Sequence, residues 1–591
     1  MTRLMSNIIE SFSTLTQPLD KPSSADWLRE SSATKDLLQM IFIGLLIEII
    51  YITYIVAFPL ISNTQAGGPA ADLEILMRGY RWFAPIYTIG ILLLYYLFWK
   101  IMQIVFRLSA TQAVSREDNV DHPTRSVSWF NQPKLLILAF GLLFGFTLTW
   151  LYPITANDLF RYVLRGRIWA VYGESPMLHP PNDFPDDPYI AFAGEFGEWV
   201  SGYGPLWEIL VQVPLRLGAT EMVAGSVSLK LLVLLCYLLC AILLGWFAVP
   251  QRGSPLAALT FFAWNPLILI QVPGNGHNDM VFMVLMVFGI IMWQRQNWWA
   301  ATLALTLAAL AKASAFLIIP LFAVVLLRHE SSWRGRFIKA ISAGLIGLMT
   351  AYLVYSALGP VTETLTGVTD MLTVRRGFAI ASEVRMILRE VLPRNAEAAV
   401  APESIGAVQS LREFLPCSAG AGADWLVRLA NLVIPCNVAE AMPRTIGRNL
   451  FILFYLWLLI QLWRRKLDLI TAGFLAYFSQ LILGQTFRIW YPIWLIPLAA
   501  LHLTSATFWR TFLFSLTSEL SIINYFVVWR WWLRYLPWEK LGLLTEAYYW
   551  PVMHTLTVPW LFGIPLFGPI LINRLSKRSQ SDEDIKKVKD M

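Results

Sequence analysis

Two adjoining stretches decide the fold: LLILAFGLLFGFTLTWLY at residues 135–152, and TANDLFRY at residues 155–162. The first is apolar and long enough to cross a bilayer. The second places Asp158 at the mouth of that span, where a carboxylate is costly and needs a reason to be kept. The chain from 163 to 205 is then polar, aromatic and rich in proline. This order predicts chemistry at the boundary between water and lipid.

The composition is that of a membrane protein. The 591 residues are 57% hydrophobic and only 14% charged, with a mean hydropathy of +0.55, whereas globular domains carry about 25% charged residues. Apolar runs recur from end to end, so we predict an all-α polytopic membrane protein. The net charge of +7 is typical of basic cytoplasmic loops, and we expect no nucleic acid as a partner.

The apolar runs predict about twelve spans and two irregular segments. Residues 206–217 are too few to cross, and we expect them to dip into the outer leaflet as a short helix. Residues 298–327 exceed one straight helix, and we expect a hairpin broken at Ala311-Lys312-Ala313-Ser314. The predicted spans are 37–61, 82–106, 135–154, 226–249, 255–273, 280–294, 337–358, 449–463, 467–484, 489–503, 510–529 and 551–572.

Lys and Arg in the short loops orient the chain, because they concentrate on the cytoplasmic side. With both ends inside, the Asp158 loop, residues 274–279 and residues 485–488 all lie outside. The domains then predicted are a cytoplasmic segment 1–36, a catalytic membrane module 37–358 with an outer loop 155–205, an outer subdomain 359–447, a C-terminal membrane module 448–573 and a cytoplasmic tail 574–591. Cys417 and Cys436 share the outer subdomain, and a disulfide between them stays open.

The first candidate cluster surrounds Asp158. If a helix follows it, Arg161 and Arg165 lie on the same face as the acid, and Asn157 precedes it. A plain helix-capping Asp paired with Arg161 is the alternative. A second cluster continues the loop, with His179 between prolines and Tyr203 in Tyr203-Gly204-Pro205-Leu206-Trp207. Its proline and glycine density predicts a fixed loop, whether functional or a simple connector, and its acids form no specific metal signature.

The third cluster is Gly274-Asn275-Gly276-His277-Asn278-Asp279, between two apolar runs. A tight turn explains the glycines and asparagines, but not an imidazole and a carboxylate beside lipid. The position of His277 and Asp279 therefore favours function.

The fourth cluster consists of cations near membrane depth. Arg488, beside Trp490 and Tyr491, is a candidate for binding a lipid phosphate; snorkelling to headgroups would also explain it. Lys312 marks a candidate helix break, where a buried ion pair is the alternative to a direct role.

The ordered set resembles a known family. The order is an acid after a span, a Gly-x-x-Pro stretch, Tyr-Gly-Pro-Leu-Trp, Trp264-Asn265-Pro266-Leu267, Gly-Asn-Gly-His-Asn-Asp, and Ala-Leu-Ala-Lys ahead of an apolar run. It resembles the GT-C fold glycosyltransferases that use polyprenol-phosphate sugars, most closely bacterial polyprenyl-phosphate-mannose-dependent α-mannosyltransferases. The resemblance covers residues 135–330 well. One stretch departs from relatives: Gly173-Glu174-Ser175-Pro176-Met177 stands where they often have Gly-x-Asn-Pro-Tyr.

The resemblance implies an activity and a place in the cell. It implies transfer of a hexose, most often mannose, from a polyprenyl-phosphate-linked donor to a glycan or glycolipid acceptor, with inversion. The site would lie on the outer face of a bacterial plasma membrane.

The resemblance also implies roles for residues. Asp158 would act as the general base, the cations would hold the leaving phosphate, and His277, Asn278 and Asp279 would orient donor or acceptor. We expect no cofactor, and a divalent metal is not favoured because Asn157-Asp158 offers a single acid where other relatives have Asp-x-Asp.

Two other functional classes stay open. A transporter or flippase of lipid-linked glycans would place charges such as Lys312 on broken helices near mid-membrane. An O-antigen-ligase-like transferase would use outer acids and arginines but would move a preassembled glycan. Transfer of a single sugar separates the first interpretation from both.

Overall fold

The computed structural model describes residues 26–64, 70, 76, 82–118, 133–365, 379–384, 438–524 and 555–574. Within these residues the chain is helical without any strand, and two isolated bridges, Pro59 with Leu151 and Arg252 with His502, join loops. The all-α polytopic prediction is confirmed. Residues 1–25, most of 359–447 with Cys417 and Cys436, and the tail 575–591 lie outside the described residues, so the predictions made for them stay predictions.

The first two helices of the chain are long, and the seventh and eighth are separated by a break near residue 265. The helices are α1 Asp26–Ala57, α2 Phe83–Asp118, α3 Pro133–Leu148, α4 Asp158–Ala170, α5 Pro205–Arg216, α6 Met222–Ile242, α7 Pro255–Ala263 and α8 Pro266–Leu269, which continues as a π turn Ile270–Gly274.

The remaining helices follow the polar turn at 275–278. They are α9 Asp279–Gln294, α10 Trp298–Ala311, α11 Ile318–His329, α12 Trp333–Ser356, α13 Val438–Trp463, α14 Leu469–Leu483, α15 Ile496–Leu501, α16 Ser505–Ile523 and α17 Thr555–Arg574. A 3₁₀ turn, Ala313–Leu317, leads into α11, and another, Tyr491–Leu495, leads into α15.

The predicted count of twelve spans is not confirmed. In the described part of the chain, 6 helices are long and apolar enough to cross a membrane, or up to 7 with α7 and α8 taken as one bent span. Several predicted spans are instead shorter apolar helices of 10–17 residues. The 16-residue α3 is about 24 Å long, less than the roughly 30 Å of a bilayer core.

The predicted span 255–273 is broken at Asn265-Pro266, where α7 and α8 meet at 48°. Proline has no backbone N–H to continue the helix. The Asn265 side chain accepts a hydrogen bond from the Leu267 backbone N–H at 3.1 Å and so starts α8 afresh. The bend turns the end of α8 towards the loop that carries Asp158.

The predicted hairpin at 298–327 is confirmed. Lys312 has extended backbone angles (φ −156°, ψ 132°) that end α10, and the chain then turns back into α11. The ring of His329 lies 5.6 Å from that of Trp293, and the Lys339 ammonium lies 5.8 Å from the Trp298 ring. The start of α10 and the end of α11 therefore lie at one end of the bundle, together with the loops 295–297, 329–332 and 464–468. We call this the basic end, and the opposite one the site end.

Helix α4 and the short helix α5 close the site end. The prediction of a short helix at 206–217 is confirmed by α5. At Gly204 a Cβ would lie 2.1 Å from the Leu310 carbonyl oxygen, so only glycine allows α5 to begin directly against the end of α10. This contact sets the Tyr203 segment beside Lys312.

Candidate functional site

Asp158 is the first residue of α4, and Asn157 before it makes no capping hydrogen bond with its side chain. The Arg161 Nη1 lies 3.0 Å from the Asp158 Oδ1, with the side chains 20% and 15% exposed. The same guanidinium lies 4.0 Å from the centre of the Phe196 ring. The carboxylate is therefore paired with Arg161 but still partly exposed. The alternative of a helix-capping acid predicted this ion pair, but no side-chain capping hydrogen bond accompanies it.

The charges around Asp158 keep it ionised. Burial by itself raises the pKa of this carboxyl, but its basic neighbours, Arg161 first, outweigh burial and lower the pKa below its ordinary value. Arg161 on the same helix, together with Lys312 and Arg488 from distant parts of the sequence, thus acts on one carboxylate.

The glycine–histidine turn meets the Asp158 loop directly. The Asn275 Oδ1 accepts a hydrogen bond from the Thr155 backbone N–H at 3.2 Å. Gly276 has a φ of +77°, and a Cβ there would lie 2.7 Å from the Leu159 side chain. Left-handed backbone and close packing both require glycine here. The first and third predicted clusters are therefore one site.

Asp279 and Lys312 form a buried ion pair beneath this contact. The Lys312 Nζ lies 2.6 Å from the Asp279 Oδ1, with Asp279 fully buried and the lysine 16% exposed. The Trp494 indole N–H donates to the same oxygen at 2.6 Å, and the Lys312 Nζ also donates to the Asn278 Oδ1 at 3.2 Å. The buried ion pair that was the alternative prediction for Lys312 is therefore present, and it lies at the edge of the site.

His277 stacks on Trp490 with ring centres 4.1 Å apart. Burial lowers the pKa of this imidazole to about 4, although Asp158 and Asp279 act to raise it. The ring is therefore neutral near pH 7. Its Nε2 is buried and has no hydrogen-bond partner among the described residues, so it is available to a ligand.

Arg488 lies in the segment that leads into the 3₁₀ turn Tyr491–Leu495. Its charge contributes to the lowered pKa of Asp158, and the described residues show no hydrogen bond or ion pair to its guanidinium. The Tyr491 ring that follows stacks on Trp494 at 4.2 Å. The fourth cluster therefore joins the first and third around Asp158 and Asp279.

Arg165 lies one turn beyond Arg161 on the same helix, α4, and contacts Tyr203. Its guanidinium is buried, lies 5.6 Å from the centre of the Tyr203 ring, and points at the Val200 carbonyl oxygen at 3.5 Å. Tyr203 packs edge-on against Tyr162, with ring centres 4.9 Å apart. Arg161 therefore pairs with the acid, and Arg165 supports the Tyr203 ring.

Two further predicted residues have hydrogen-bond or ion-pair partners within the protein. His179 lies between Asp183, at 3.1 Å, and Glu174, at 3.4 Å, on the outer loop, and the structure records no contact from it to Asp158. The Asn275 amide N–H groups donate to the Ile270 carbonyl at 2.9 Å and the Gln271 Oε1 at 3.2 Å. The Asn275 side chain is thus hydrogen-bonded within the protein, and its contact with a substrate stays a prediction.

Sequence reasoning missed several members of the site. Phe196, Gln271, Trp494 and Glu519 were not singled out, although an acid inside the apolar run of α16 was a visible signal. Phe196 and Trp494 carried no signal of their own, because aromatics abound at membrane interfaces. Among the described residues, no group of three or more His, Cys, Asp or Glu side chains is arranged to hold a metal ion.

Known proteins match the N-terminal part of the chain. Residues 59–328 match a family described as alpha-(1->6)-mannopyranosyltransferase, N-terminal domain. The alpha-(1->6)-mannopyranosyltransferase A of Mycobacterium tuberculosis (strain ATCC 25618 / H37Rv) is 28% identical over 225 residues, which are 36% of this chain and 41% of that protein. The chain therefore spans less than half the length of this relative. No solved structure matches.

These findings confirm the resemblance to GT-C mannosyltransferases drawn from the motifs. The matched region contains Asp158, Tyr203, the turn at 274–279 and Lys312, whereas Arg488 lies beyond it. Arg488, Trp490 and Trp494 thus lie outside residues 59–328, which the family matches.

Proposed function

We propose that this GT-C mannosyltransferase-like membrane protein moves one mannose from a polyprenyl-phosphate donor to a hydroxyl of a glycan or glycolipid acceptor. The observation that carries the proposal is the setting of Asp158: an ionised, reachable carboxylate under the influence of Arg161, Lys312 and Arg488, next to a neutral imidazole. Such a setting offers a base for an alcohol and positive charge for a phosphate.

Asp158 is proposed as the general base. An acceptor hydroxyl gives its proton to the Asp158 carboxylate as its oxygen bonds to the anomeric carbon of the sugar. The bond from that carbon to the phosphate oxygen breaks on the opposite side, so the anomeric centre inverts. The leaving group keeps the electron pair and departs as polyprenyl phosphate.

Cations offset the charge that develops on this leaving phosphate, since a phosphodiester becomes a monoester with one more negative charge. Arg488 suits the role best, because its guanidinium has no protein partner among the described residues and presents a planar set of donors to phosphate oxygens. Arg161 and Lys312 add positive charge, although each is already paired with an acid.

The sugar itself is proposed to lie against the 277–279 turn. The His277 Nε2, the Asn278 Nδ2 and the Asp279 Oδ2 are buried without hydrogen-bond partners among the described residues. Each unmet buried polar group costs about 1–3 kcal/mol, and the hydroxyls of a hexose would satisfy them. Trp490 and Tyr203 offer aromatic faces at the same place, and Arg165 supports Tyr203 from behind.

The positive charge supplied by these side chains is the reason to propose transfer without a cofactor. Turnover should then stay unchanged, within about twofold, when EDTA replaces added divalent cations. A loss that Mg²⁺ or Mn²⁺ restores would overturn this part of the proposal.

The site is proposed to face outward from a bacterial plasma membrane. Cytoplasmic loops carry the excess of Lys and Arg, and the basic end holds Arg328 and Arg464-Arg465-Lys466. Helix α9 runs from Asp279 to the loop 295–297, so the site lies at the opposite end of the bundle.

The test is transfer from a labelled donor. Purified protein in detergent is given polyprenyl-phosphate-[¹⁴C]mannose and a membrane extract that contains acceptors, and the product is sized. A product larger by one hexose supports the proposal. Movement of the intact lipid across proteoliposomes without transfer would indicate a flippase, and transfer of a longer glycan would indicate a ligase-like enzyme.

A further inference from the structure

A line of hydrogen bonds connects the Asp158 loop to an acid on a distant helix. Glu519 lies on α16 and is fully buried. Its Oε1 accepts from the Gln271 Nε2 at 2.7 Å, and the Gln271 Oε1 accepts from the Thr155 hydroxyl at 2.8 Å. Thr155 stands just ahead of Asp158. The Glu519 carboxyl group is therefore linked through Gln271 to Thr155, in the segment that leads to the candidate base.

A second connection holds the same loop through its backbone. The Gln271 Oε1 also accepts from the Asn275 Nδ2 at 3.2 Å, and the Asn275 Oδ1 accepts from the Thr155 backbone N–H at 3.2 Å. Both the hydroxyl and the backbone of Thr155 thus depend on the direction in which the Gln271 amide points.

Glu519 fixes that direction. The Glu519 Oε1 accepts from the Gln271 Nε2, its Oε2 accepts from the Tyr87 hydroxyl at 3.4 Å, and the amide of glutamine has one accepting and one donating end. Reversing the Gln271 amide would set its oxygen against the Glu519 oxygen and its N–H groups against those of Asn275. With Glu519 in place, the amide must present its oxygen to Thr155 and Asn275.

We propose that Glu519 is a positioning residue for Asp158: it orients the Gln271 amide, which holds Thr155 and with it the start of α4. The inference rests on the proposed role of Asp158 as the base. A buried carboxylate is costly in a membrane core, and this role gives a reason for its presence. It also assigns the C-terminal helices, which lie outside the matched residues 59–328, a share in the site.

Two substitutions separate hydrogen bonding from packing. Glu519→Gln keeps an oxygen that can accept from Gln271, so turnover should stay within about threefold of wild type. Glu519→Leu removes the acceptor, and a loosened base should lower kcat by about 10- to 100-fold. KM for the donor should stay within about threefold in both, because Arg488 and Lys312 are untouched. Equal turnover of Glu519→Leu and wild type would overturn the inference.

Glu48 supplies a matched control. It is also a buried acid that accepts a hydroxyl hydrogen bond, from Thr147 at 2.5 Å, but no recorded bond links it to Thr155. Glu48→Leu should lower the melting temperature and leave kcat unchanged. If it lowers kcat as much as Glu519→Leu does, a general loss of packing explains both, and the inference falls.

A readout that needs no substrate keeps the two proposals distinguishable. Ala156→Cys is introduced into each variant, and maleimide labelling of the peptide containing residue 156 is followed by mass spectrometry, so that the native cysteines do not interfere. Glu519→Leu should raise the labelling rate about threefold or more, and Glu519→Gln and Glu48→Leu should not. Such labelling in a protein that transfers no mannose would retain the positioning and refute the proposed function. An unchanged rate in Glu519→Leu would refute the positioning.

If Glu519→Leu does not fold, Thr155→Val tests the inference in its place. It removes only the hydroxyl at the other end of the line and keeps the shape of the side chain. It should lower kcat about threefold or more with little change in KM, and normal turnover would contradict the inference.

Discussion

Replacing Asp158 by Asn removes the proposed base with little change in shape. A general base contributes about 10²- to 10⁴-fold to a rate, so the barrier should rise by about 2.7 to 5.4 kcal/mol. The folding cost is smaller. The variant loses an i,i+3 pair with Arg161 at 3.0 Å and a negative charge at a helix start, together about 1 kcal/mol. The predicted signature is therefore a large loss of kcat in a protein that still folds.

The assay for Asp158→Asn combines turnover with thermal unfolding in the same detergent. Asp183→Asn is the matched control, because Asp183 is an acid on the outer loop that is bonded to His179 and is 47% exposed. The control should turn over within about twofold of wild type. Asp158→Asn with more than about a tenth of wild-type kcat would remove Asp158 from the role of base.

The ionisation of Asp158 gives the same variant a pH signature. Its pKa is lowered in the folded state, so its charge stabilises the protein above the ordinary carboxyl pKa of about 4. That contribution is lost as the pH falls through the lowered value. Asp158→Asn should therefore be less stable than wild type at pH 7, and the gap should close at low pH. A gap that widens on acidification would contradict the arrangement.

Three further predictions concern the other charges of the site. His277 has a folded pKa of about 4 against an ordinary 6.5. As the pH falls from 6.5 to 4, wild type should therefore lose up to about 3 kcal/mol of stability. His277→Gln should lose much less when unfolding is measured over the same pH range. Lys312→Met leaves Asp279 buried without its cation and should lower the free energy of unfolding by about 3–5 kcal/mol, measured with denaturant. The control Lys339→Met, at the basic end, should lower it by less than about 1 kcal/mol. Arg488→Ala should weaken donor binding about 10-fold or more, measured by titration with polyprenyl phosphate, and Arg488→Lys should recover part of it; unchanged affinity would favour snorkelling.

The membrane class and many residues of the candidate site could be predicted from the sequence, because both depend on local patterns. An apolar run that ends in Asn157-Asp158, and a turn with His277 between two apolar runs, are unusual enough to be seen without a structure. The charge rule also required the hairpin at Lys312, since a single crossing would have placed Arg328 on the outside. The structure confirms the hairpin.

The remainder depended on packing that no local pattern reports. The break at Asn265 shortens an apparent span, because a proline that follows a capping asparagine starts a new helix. The contact of Arg165 with Tyr203 joins residues that are distant along the chain. The bond from Trp494 to Asp279 and the line from Glu519 to Thr155 join helices hundreds of positions apart, and a single sequence does not pair them.

The most direct test of the shared site is an experimental structure of the protein with a non-hydrolysable polyprenyl-phosphate mannose analogue. The account predicts a phosphate oxygen within about 3 Å of the Arg488 guanidinium, with the anomeric carbon on the side of Asp158 and the sugar against His277. A phosphate bound at the basic end of the bundle, or a sugar that leaves Asp158 facing lipid, would contradict it.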